Sequence, residues 1–152
     1  MPLPDIFSKE ISDQVIRRID NLTPETQPTW GKMSVAQMLA HCNVSYEMMY
    51  ENIHPQPNFL MRFILKTMIK NKVVGETAYQ RNGQTAPAFI IRNPKDFDHE
   101  KKRLINYITR TRQLGESHFD NKESLSFGKL TKTEWNNMLY KHLDHHLSQF
   151  GV

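Results

Sequence analysis

Two short polar motifs mark helix starts in this chain and constrain its fold more than any other feature. In "SVAQ", Ser34 precedes Gln37 by three positions, and in "TKTE", Thr131 precedes Glu134 by three. In such a capping box the hydroxyl accepts a hydrogen bond from the backbone N–H three residues on, and the longer side chain reaches back to the cap residue. Apolar residues at helical spacing follow both motifs. The sequence therefore predicts that one helix starts after Ser34 and another after Thr131.

Apolar residues recur with the period of a helix in four segments of the chain. These segments run from Ile11 to Leu22, Val35 to Met49, Phe97 to Leu114 and Trp135 to Phe150. Prolines or a glycine follow the first three segments, as expected where helices end. We therefore predict an all-α fold in which the main helices form an antiparallel bundle, within a single domain of residues 1–152.

The remaining middle of the chain is predicted to hold a short helix and a long connection. Phe59 to Lys70 is apolar on most of its circumference, which predicts an additional short helix packed on two sides. From Asn71 to Lys95 the periodicity is lost, and Asn82-Gly83 is a turn signal. Within this connection, "AFII" is predicted to be a short extended piece.

The charge of the chain gives little support to nucleic-acid binding. The net charge is +4, from 20 Lys and Arg against 16 Asp and Glu. Arg62, Lys66 and Lys70 recur every four positions and would line one face of a helix, but solvated helix faces usually have this pattern. Because no nucleic-acid motif accompanies them, we do not expect a nucleic-acid partner.

Cysteine content and hydropathy favour a cytoplasmic protein without a membrane span. Cys42 is the single cysteine, so no intrachain disulfide can form. The longest apolar run, Phe59 to Ile69, is too short to cross a bilayer and contains Arg62 and Lys66. The first residues lack the basic and apolar regions of a secretory signal.

Three histidines near the end of the last predicted helix suggest a metal site. With residues about 100° apart on a helix, His142 and His146 fall inside the apolar stripe, and His145 falls at its edge. Residues four apart face the same way, so two imidazoles can approach one ion at about 2.0 to 2.1 Å each. A histidine in a core is, however, often simply hydrogen-bonded, so the spacing alone leaves both interpretations open.

Two ligands rarely hold a metal in a protein, so the metal interpretation needs a third. The other histidines are His41, His54, His99 and His118. His54 and His118 lie in irregular segments and would be poorly fixed, and His99 begins a helix. His41 lies mid-helix at about 100° from the centre of its apolar stripe, a phase that is acceptable where a helix contacts two neighbours.

Three stretches of the chain resemble the DinB-like superfamily, in particular a branch described as a domain of unknown function. They are "WGKMSVAQMLAHCNVS", "TAPAFIIRNPKDF" and "FGKLTKTEWNNMLYKHLDHHLSQFGV". The resemblance covers nearly the whole chain, and it implies a four-helix bundle that is often a homodimer. One difference is that "ESLSFG" lacks the histidine and proline that precede "FG" in many relatives, which puts a loop ligand in doubt.

The resemblance also implies a ligand set. DinB-like proteins bind a divalent metal through one histidine of the second helix and an HxxxH pair of the last, which correspond here to His41, His142 and His146. Zinc and nickel are the expected metals. His145 is then either a hydrogen-bond partner of a ligand or an alternative ligand.

Three protein ligands leave part of the coordination sphere open, which is typical of catalytic zinc. An open position can activate water for hydrolysis or bind a low-molecular-weight thiol, and characterised DinB-like relatives include thiol S-transferases and hydrolases. The alternative is a non-catalytic bundle that acts in a stress response or as an interaction module.

No residue can be assigned a catalytic role from the sequence. Glu47 and Asp144 are the nearest acid or base candidates, but both are rotated away from the predicted ligands. Cys42 falls on the apolar stripe and is interpreted as a buried small hydrophobe. Tyr46 and Tyr140 fit ordinary core positions.

Overall fold

The chain is mostly helical, with one small antiparallel sheet, in a computed structural model that describes all 152 residues. The helices are α1 Lys9–Asp20, α2 Val35–Tyr50, α3 Phe59–Ile64, α4 Lys70–Val74, α5 Phe97–Leu114, α6 Glu116–Phe119 and α7 Lys132–Gln149. A π-helix, Leu65–Ile69, joins α3 to α4, and Pro87–Phe89 forms a 3₁₀ turn. The strands are β1 Lys122–Ser124 and β2 Gly128–Leu130.

Both predicted capping boxes are present where the sequence places them. The backbone N–H of Gln37 donates to Ser34 Oγ over 3.2 Å, and the N–H of Ser34 donates to Gln37 Oε1 over 3.0 Å. Thr131 and Glu134 make the equivalent pair of bonds over 3.2 and 2.9 Å. α2 and α7, which carry the histidines predicted as ligands, therefore have well-defined starts.

The four longest helices surround the hydrophobic core. α2 packs against α5 and α7, and α1 packs against the same two helices. Their inward residues, among them Ile19, Leu39, Leu104 and Leu143, are almost completely buried. None of the helices combines the length and the apolar content that a bilayer span requires.

The prediction that Phe59 to Lys70 packs on two sides is wrong. No residue of α3 or of the π-helix is buried, and Phe59, Leu60 and Phe63 are 89, 67 and 59% exposed. The basic residues face the body of the protein instead: Arg62 forms an ion pair with Glu123. Asn71 to Val74 belong to α4, so the irregular segment before α5 is shorter than predicted; we call residues 75–95 the 75–95 connection. It does not cover the apolar face, which is left in contact with solvent.

Two short extended or turn segments differ from the sequence-based expectation. β1 and β2 pair as a hairpin, so the fold is not purely all-α. Ser124 Oγ donates to the Gly128 carbonyl over 2.7 Å and accepts from Phe127 N–H over 3.0 Å, which closes the turn. Strands of three residues are too short to show a two-residue period.

The "AFII" stretch, predicted to be extended, makes the 3₁₀ turn Pro87–Phe89 and is followed by extended backbone at Ile90.

Candidate metal centre

His41 lies in the middle of α2, a helix that is buried on most of its circumference. α5 and α7 cover two sides of α2, and the 3₁₀ turn Pro87–Phe89 packs on it as well. His41 is therefore only 6% exposed, although it lies outside the main apolar stripe. Its ring also makes an edge contact with Phe89 at 5.4 Å between centroids.

His142 and His146 lie one turn apart on α7 and face His41. The Nε2 atoms of His142 and His41 are 2.9 Å apart, and the rings of His41 and His146 are 4.5 Å apart between centroids. One ring nitrogen from each of the three residues lies within 4.8 Å of the other two. Nitrogens that share an ion at about 2.0 to 2.1 Å each are separated by less than about 4.2 Å, so small side-chain shifts suffice. These three buried histidines can bind a metal ion.

A hydrogen bond at Nδ1 fixes the orientation of the His41 and His146 rings. His41 Nδ1 donates to the Phe89 carbonyl oxygen over 2.7 Å, and His146 Nδ1 lies 2.8 Å from Gln149 Oε1. Gln149 Nε2 donates to the Trp30 carbonyl over 2.8 Å, which requires Oε1 to face His146 and Nδ1 to donate. In both imidazoles the proton is thus on Nδ1, and the lone pair of Nε2 points to the centre of the cluster. This is the arrangement of metal-binding histidines.

The ring of His142 has a partner that can accept or donate. Its Nδ1 lies 3.1 Å from Ser45 Oγ, one turn after His41 on α2. A hydroxyl can do either, so it is compatible with a proton on Nδ1 or on Nε2. In the metal-free protein, His142 can carry its proton on Nε2 and donate to His41 Nε2. When a metal binds, the proton can instead lie on Nδ1 and be donated to Ser45 Oγ, which leaves the lone pair of Nε2 available to the metal.

The environment keeps all three imidazoles neutral. Burial lowers the pKa of His41, and it lowers the pKa of His146 to about 3, with the neighbouring His41 adding to the effect. Burial also holds the pKa of His142 well below its usual value, and the other histidines of the cluster lower it further. Neutral imidazole is the form that binds a metal, so the cluster is ready to do so at pH 7 without deprotonation.

Aromatic residues of the 75–95 connection cover the cluster. The Phe89 ring makes an edge contact with His142 at 5.7 Å, and the Tyr79 ring lies 6.5 Å from His142 and 5.8 Å from His145. His145 contacts the ring of His146 at 4.9 Å but is not part of the converging set.

An open cleft of about 170 Å³ is lined in part by Tyr79 and His145, which also contact rings of the cluster. Trp30, Arg81 and Lys141 form the rest of its wall together with Asp144 and neighbouring residues. The Arg81 guanidinium lies over the Trp30 ring, 4.2 Å from its centroid. The edge of the His145 ring faces Trp30 at 5.7 Å.

The carboxylates considered as acids or bases are held away from the cluster. Glu47 Oε1 accepts from Arg103 over 2.6 Å, and its Oε2 lies 2.8 Å from His54 Nε2. Asp144 Oδ1 accepts from Arg18 over 2.7 Å. Both were expected to point away from the ligands.

The other residues weighed in the sequence lie outside the cluster. Cys42 is buried and its Sγ lies 3.8 Å from Met38 Sδ, as expected of a small core residue. Tyr46 is almost completely buried in the core, and its hydroxyl has no partner. The histidines at 99 and 118 are exposed.

The supporting residues of the site were not identified from the sequence. Ser45 follows His41 by four positions and Gln149 follows His146 by three, so helical neighbour spacing could have found both. The Phe89 carbonyl and the Tyr79 ring come from the irregular connection, where no periodic signal exists.

Comparison with protein families matches residues 8–151 to a family described as "Protein of unknown function (DUF1569)". Comparisons with curated proteins and with solved structures gave no match.

Proposed function

The chain belongs to the DUF1569 family, and on the geometry of its histidine cluster we propose that it is a divalent-metal-dependent enzyme of the thiol S-transferase or hydrolase type. The observation that carries the proposal is the convergence of His41, His142 and His146 with hydrogen bonds at their Nδ1 atoms. Buried histidines that merely fill a core do not need ring nitrogens that converge on one point.

The donor set fits a borderline metal with an open coordination position. Three neutral imidazoles suit zinc or nickel, and no cysteine or carboxylate completes the set to four. When bound, such a metal supplies Lewis acidity and lowers the pKa of a thiol or water at its open position. The protein holds the imidazoles in place, while Tyr79 and Phe89 limit the access of water.

Thiol transfer is the better supported of the two reactions. Hydrolysis commonly requires a general base beside the attacking water. Glu47 and Asp144 are instead engaged by Arg103 and Arg18. A coordinating thiol is deprotonated outright by the metal, whereas the pKa of bound water is lowered only to about 7. A thiol therefore has less need of a base, and a cluster without a free carboxylate is compatible with its transfer to an electrophilic substrate.

We also assign the chain to the DinB-like superfamily and infer that it forms a homodimer. The ring of α1, α5, α2 and α7, with ligands on the second and last helices of the ring in chain order, supports the superfamily assignment. The exposed apolar face of α3 supports the dimer. That same face supports the alternative function, a non-catalytic interaction module in which the metal is structural or absent.

Metal analysis of protein purified without an affinity tag tests the proposal. We expect about one zinc or nickel per chain in the wild type and none in His146→Ala, with His118→Ala as a matched control because His118 is exposed outside the cluster. Conjugation of low-molecular-weight thiols to an electrophile should then require the metal. A wild type that binds no divalent metal at neutral pH would refute the proposal.

Thermal unfolding separates a catalytic metal from a structural one. At this chain length the core is large enough to fold without a metal, so the chelated protein should still be folded and unfold cooperatively, at a midpoint lowered only by the loss of the metal's binding free energy. His146→Ala should likewise remain folded. Loss of the cooperative unfolding transition on chelation, matched in the variant, would instead assign the metal a structural role.

A further inference from the structure

Arg81 is a cation without a partner in the cleft beside the histidine cluster. It forms no ion pair, and its guanidinium lies flat over Trp30 at 4.2 Å from the ring centroid. Stacking occupies the face of the guanidinium but leaves the N–H groups at its edge free to bind an anion. The Trp30 backbone is held by Gln149, so the surface beneath Arg81 is well positioned.

The other charged groups of the cleft already have partners. Lys141 Nζ donates to the carbonyl oxygens of Lys72 and Gly75 over 2.8 and 2.6 Å. Asp144 pairs with Arg18. Arg81 is therefore the group that remains available to bind a ligand, and the cleft has an excess of positive charge.

We propose that this cleft binds the carboxylate of a small substrate through Arg81, next to the metal centre. The guanidinium can bind a carboxylate through two parallel hydrogen bonds. Tyr79 and His145 line the cleft and also contact the rings of His142 and His146, so the cleft lies beside the cluster. Tyr79, Arg81 and Phe89 belong to one connection, which thus both covers the metal centre and binds the substrate.

Charge and volume favour a carboxylate over a phosphate. A phosphate dianion would lie near Asp144 with only one unpaired guanidinium to balance it. The volume of about 170 Å³ is close to that of a cavity of about 150 Å³ that holds a benzene-sized molecule. A compact carboxylic acid with an apolar portion against Trp30 and Tyr79 fits both properties. The role of this ligand as a substrate rests on the proposed metal-dependent activity, but its binding does not.

The two tryptophans provide a direct readout with an internal control. Trp30 lines the cleft, whereas Trp135 is 2% exposed in the core. In the metal-free protein, we expect propionate to shift the NMR signal of the Trp30 indole N–H and leave that of Trp135 unchanged. Propionamide, the neutral analogue, should bind at least about tenfold more weakly, as loss of a charge-assisted pair implies.

Variants of Arg81 test whether this residue binds propionate. Arg81→Gln should abolish the response to propionate, and Arg81→Lys should retain only part of it because an ammonium lacks the paired donors. Arg92→Gln is the matched control, an exposed arginine of the same connection outside the cleft. An unchanged response in Arg81→Gln, equal binding of propionamide, or tighter binding of inorganic phosphate would overturn the assignment.

Zinc loading is measured separately. A protein that binds propionate through Arg81 but binds no metal would refute the proposed enzyme and support the carboxylate site. A protein that binds zinc but shows no Arg81-dependent response to propionate would refute the carboxylate site and support the proposed metal centre.

Discussion

At the scale of single residues, Gln149 joins two parts of the molecule that are distant in sequence. Its Oε1 accepts from His146 Nδ1, its Nε2 donates to Trp30 O, and its own carbonyl accepts from Thr29 N–H over 2.7 Å. The side chain is 4% exposed, so loss of these bonds would leave buried groups without partners. The metal ligand and the floor of the cleft are thus positioned by the same amide.

Replacing Gln149 with leucine is therefore expected to weaken metal binding without removing any ligand. Loss of the acceptor for a ligand histidine typically reduces metal affinity about 10- to 100-fold. Competition with a chelator of known affinity measures the change, and Gln113→Leu on exposed α5 surface is the control. Equal zinc affinities for Gln149→Leu and wild type would show that the His146 orientation does not depend on this bond.

The lowered pKa values of the cluster predict that the metal-free protein loses stability in acid. Below about pH 6.5 the unfolded chain takes up protons at these histidines. The folded state does not, because His146 titrates only near pH 3 and the pKa values of His41 and His142 are also lowered. The unfolded state therefore binds more protons, and the free energy of unfolding falls as pH falls, by up to about 1.4 kcal/mol per pH unit for each histidine.

Urea unfolding between pH 4.5 and 7.5 in the presence of chelator measures this dependence. His146→Gln should give a shallower dependence on pH than the wild type because one of the titrating groups is removed. Parallel curves for the two proteins would argue against a contribution from His146.

At the scale of elements, α3 shows where sequence patterns give the helix but not its orientation. The basic residues of this region bond to the body of the protein, as Arg62 does with Glu123 and Lys70 Nζ does with Glu134 Oε1 over 2.9 Å. Hydrophobic periodicity assumes that the apolar face turns inward. Here ion pairs to β1 and α7 hold the basic residues against the protein, and the apolar face points to solvent. These pairs join residues that are far apart in sequence, so no local pattern predicts them.

The long helices and the pairing of His142 with His146 could be predicted because their signals are local. The capping boxes at Ser34 and Thr131 gave the starts of α2 and α7, and Gly115, at φ +78°, follows the end of α5. The spacing of His142 and His146 placed them on one face. The choice of His41 as their neighbour came from family resemblance, because its phase depends on α2 packing against two helices and the 3₁₀ turn.

Lys141 stabilises the end of α4 and the start of the 75–95 connection. Its amino group is the donor to two backbone carbonyls, and it lies 4.5 Å from the centroid of the Tyr79 ring. Lys141→Met should lower the free energy of unfolding by about 1 to 3 kcal/mol, since the carbonyls of Lys72 and Gly75 lose their donor. Amide exchange of residues 75–79 should accelerate in parallel.

The control for this prediction is Lys72→Met, because the Lys72 side chain is exposed and only its carbonyl is used. It should leave both the unfolding free energy and the exchange rates close to those of the wild type. Similar stability losses in the two variants would show that the Lys141 bonds contribute little.

At the scale of the whole molecule, the outward face of α3 and the π-helix is the largest anomaly of the surface. Phe59, Leu60, Phe63 and Met68 are all more than half exposed. Contiguous exposed apolar side chains of this kind often mark a protein interface. We therefore place the proposed contact between two copies in this region.

Light scattering across a range of concentrations should give twice the monomer mass of 17.9 kDa. Phe59→Glu combined with Phe63→Glu should shift the mass to that of the monomer, because two buried carboxylates per chain would oppose association. Leu114→Glu, at an apolar residue exposed elsewhere, is the matched control. A mass of one chain for the wild type at every concentration would contradict the dimer.

The hydrogen bonds at the Nδ1 atoms have a consequence for anyone who wants to move this site into another protein. Copying the three histidines onto a designed scaffold would transfer the ligands but not their orientation, which comes from Phe89 O, Ser45 and Gln149. The transferable unit is therefore a segment of α2, the last two turns of α7 and the 3₁₀ turn together. For the same reason, a search of genomes for HxxxH with glutamine three residues after the second histidine should recover oriented sites more selectively than HxxxH alone.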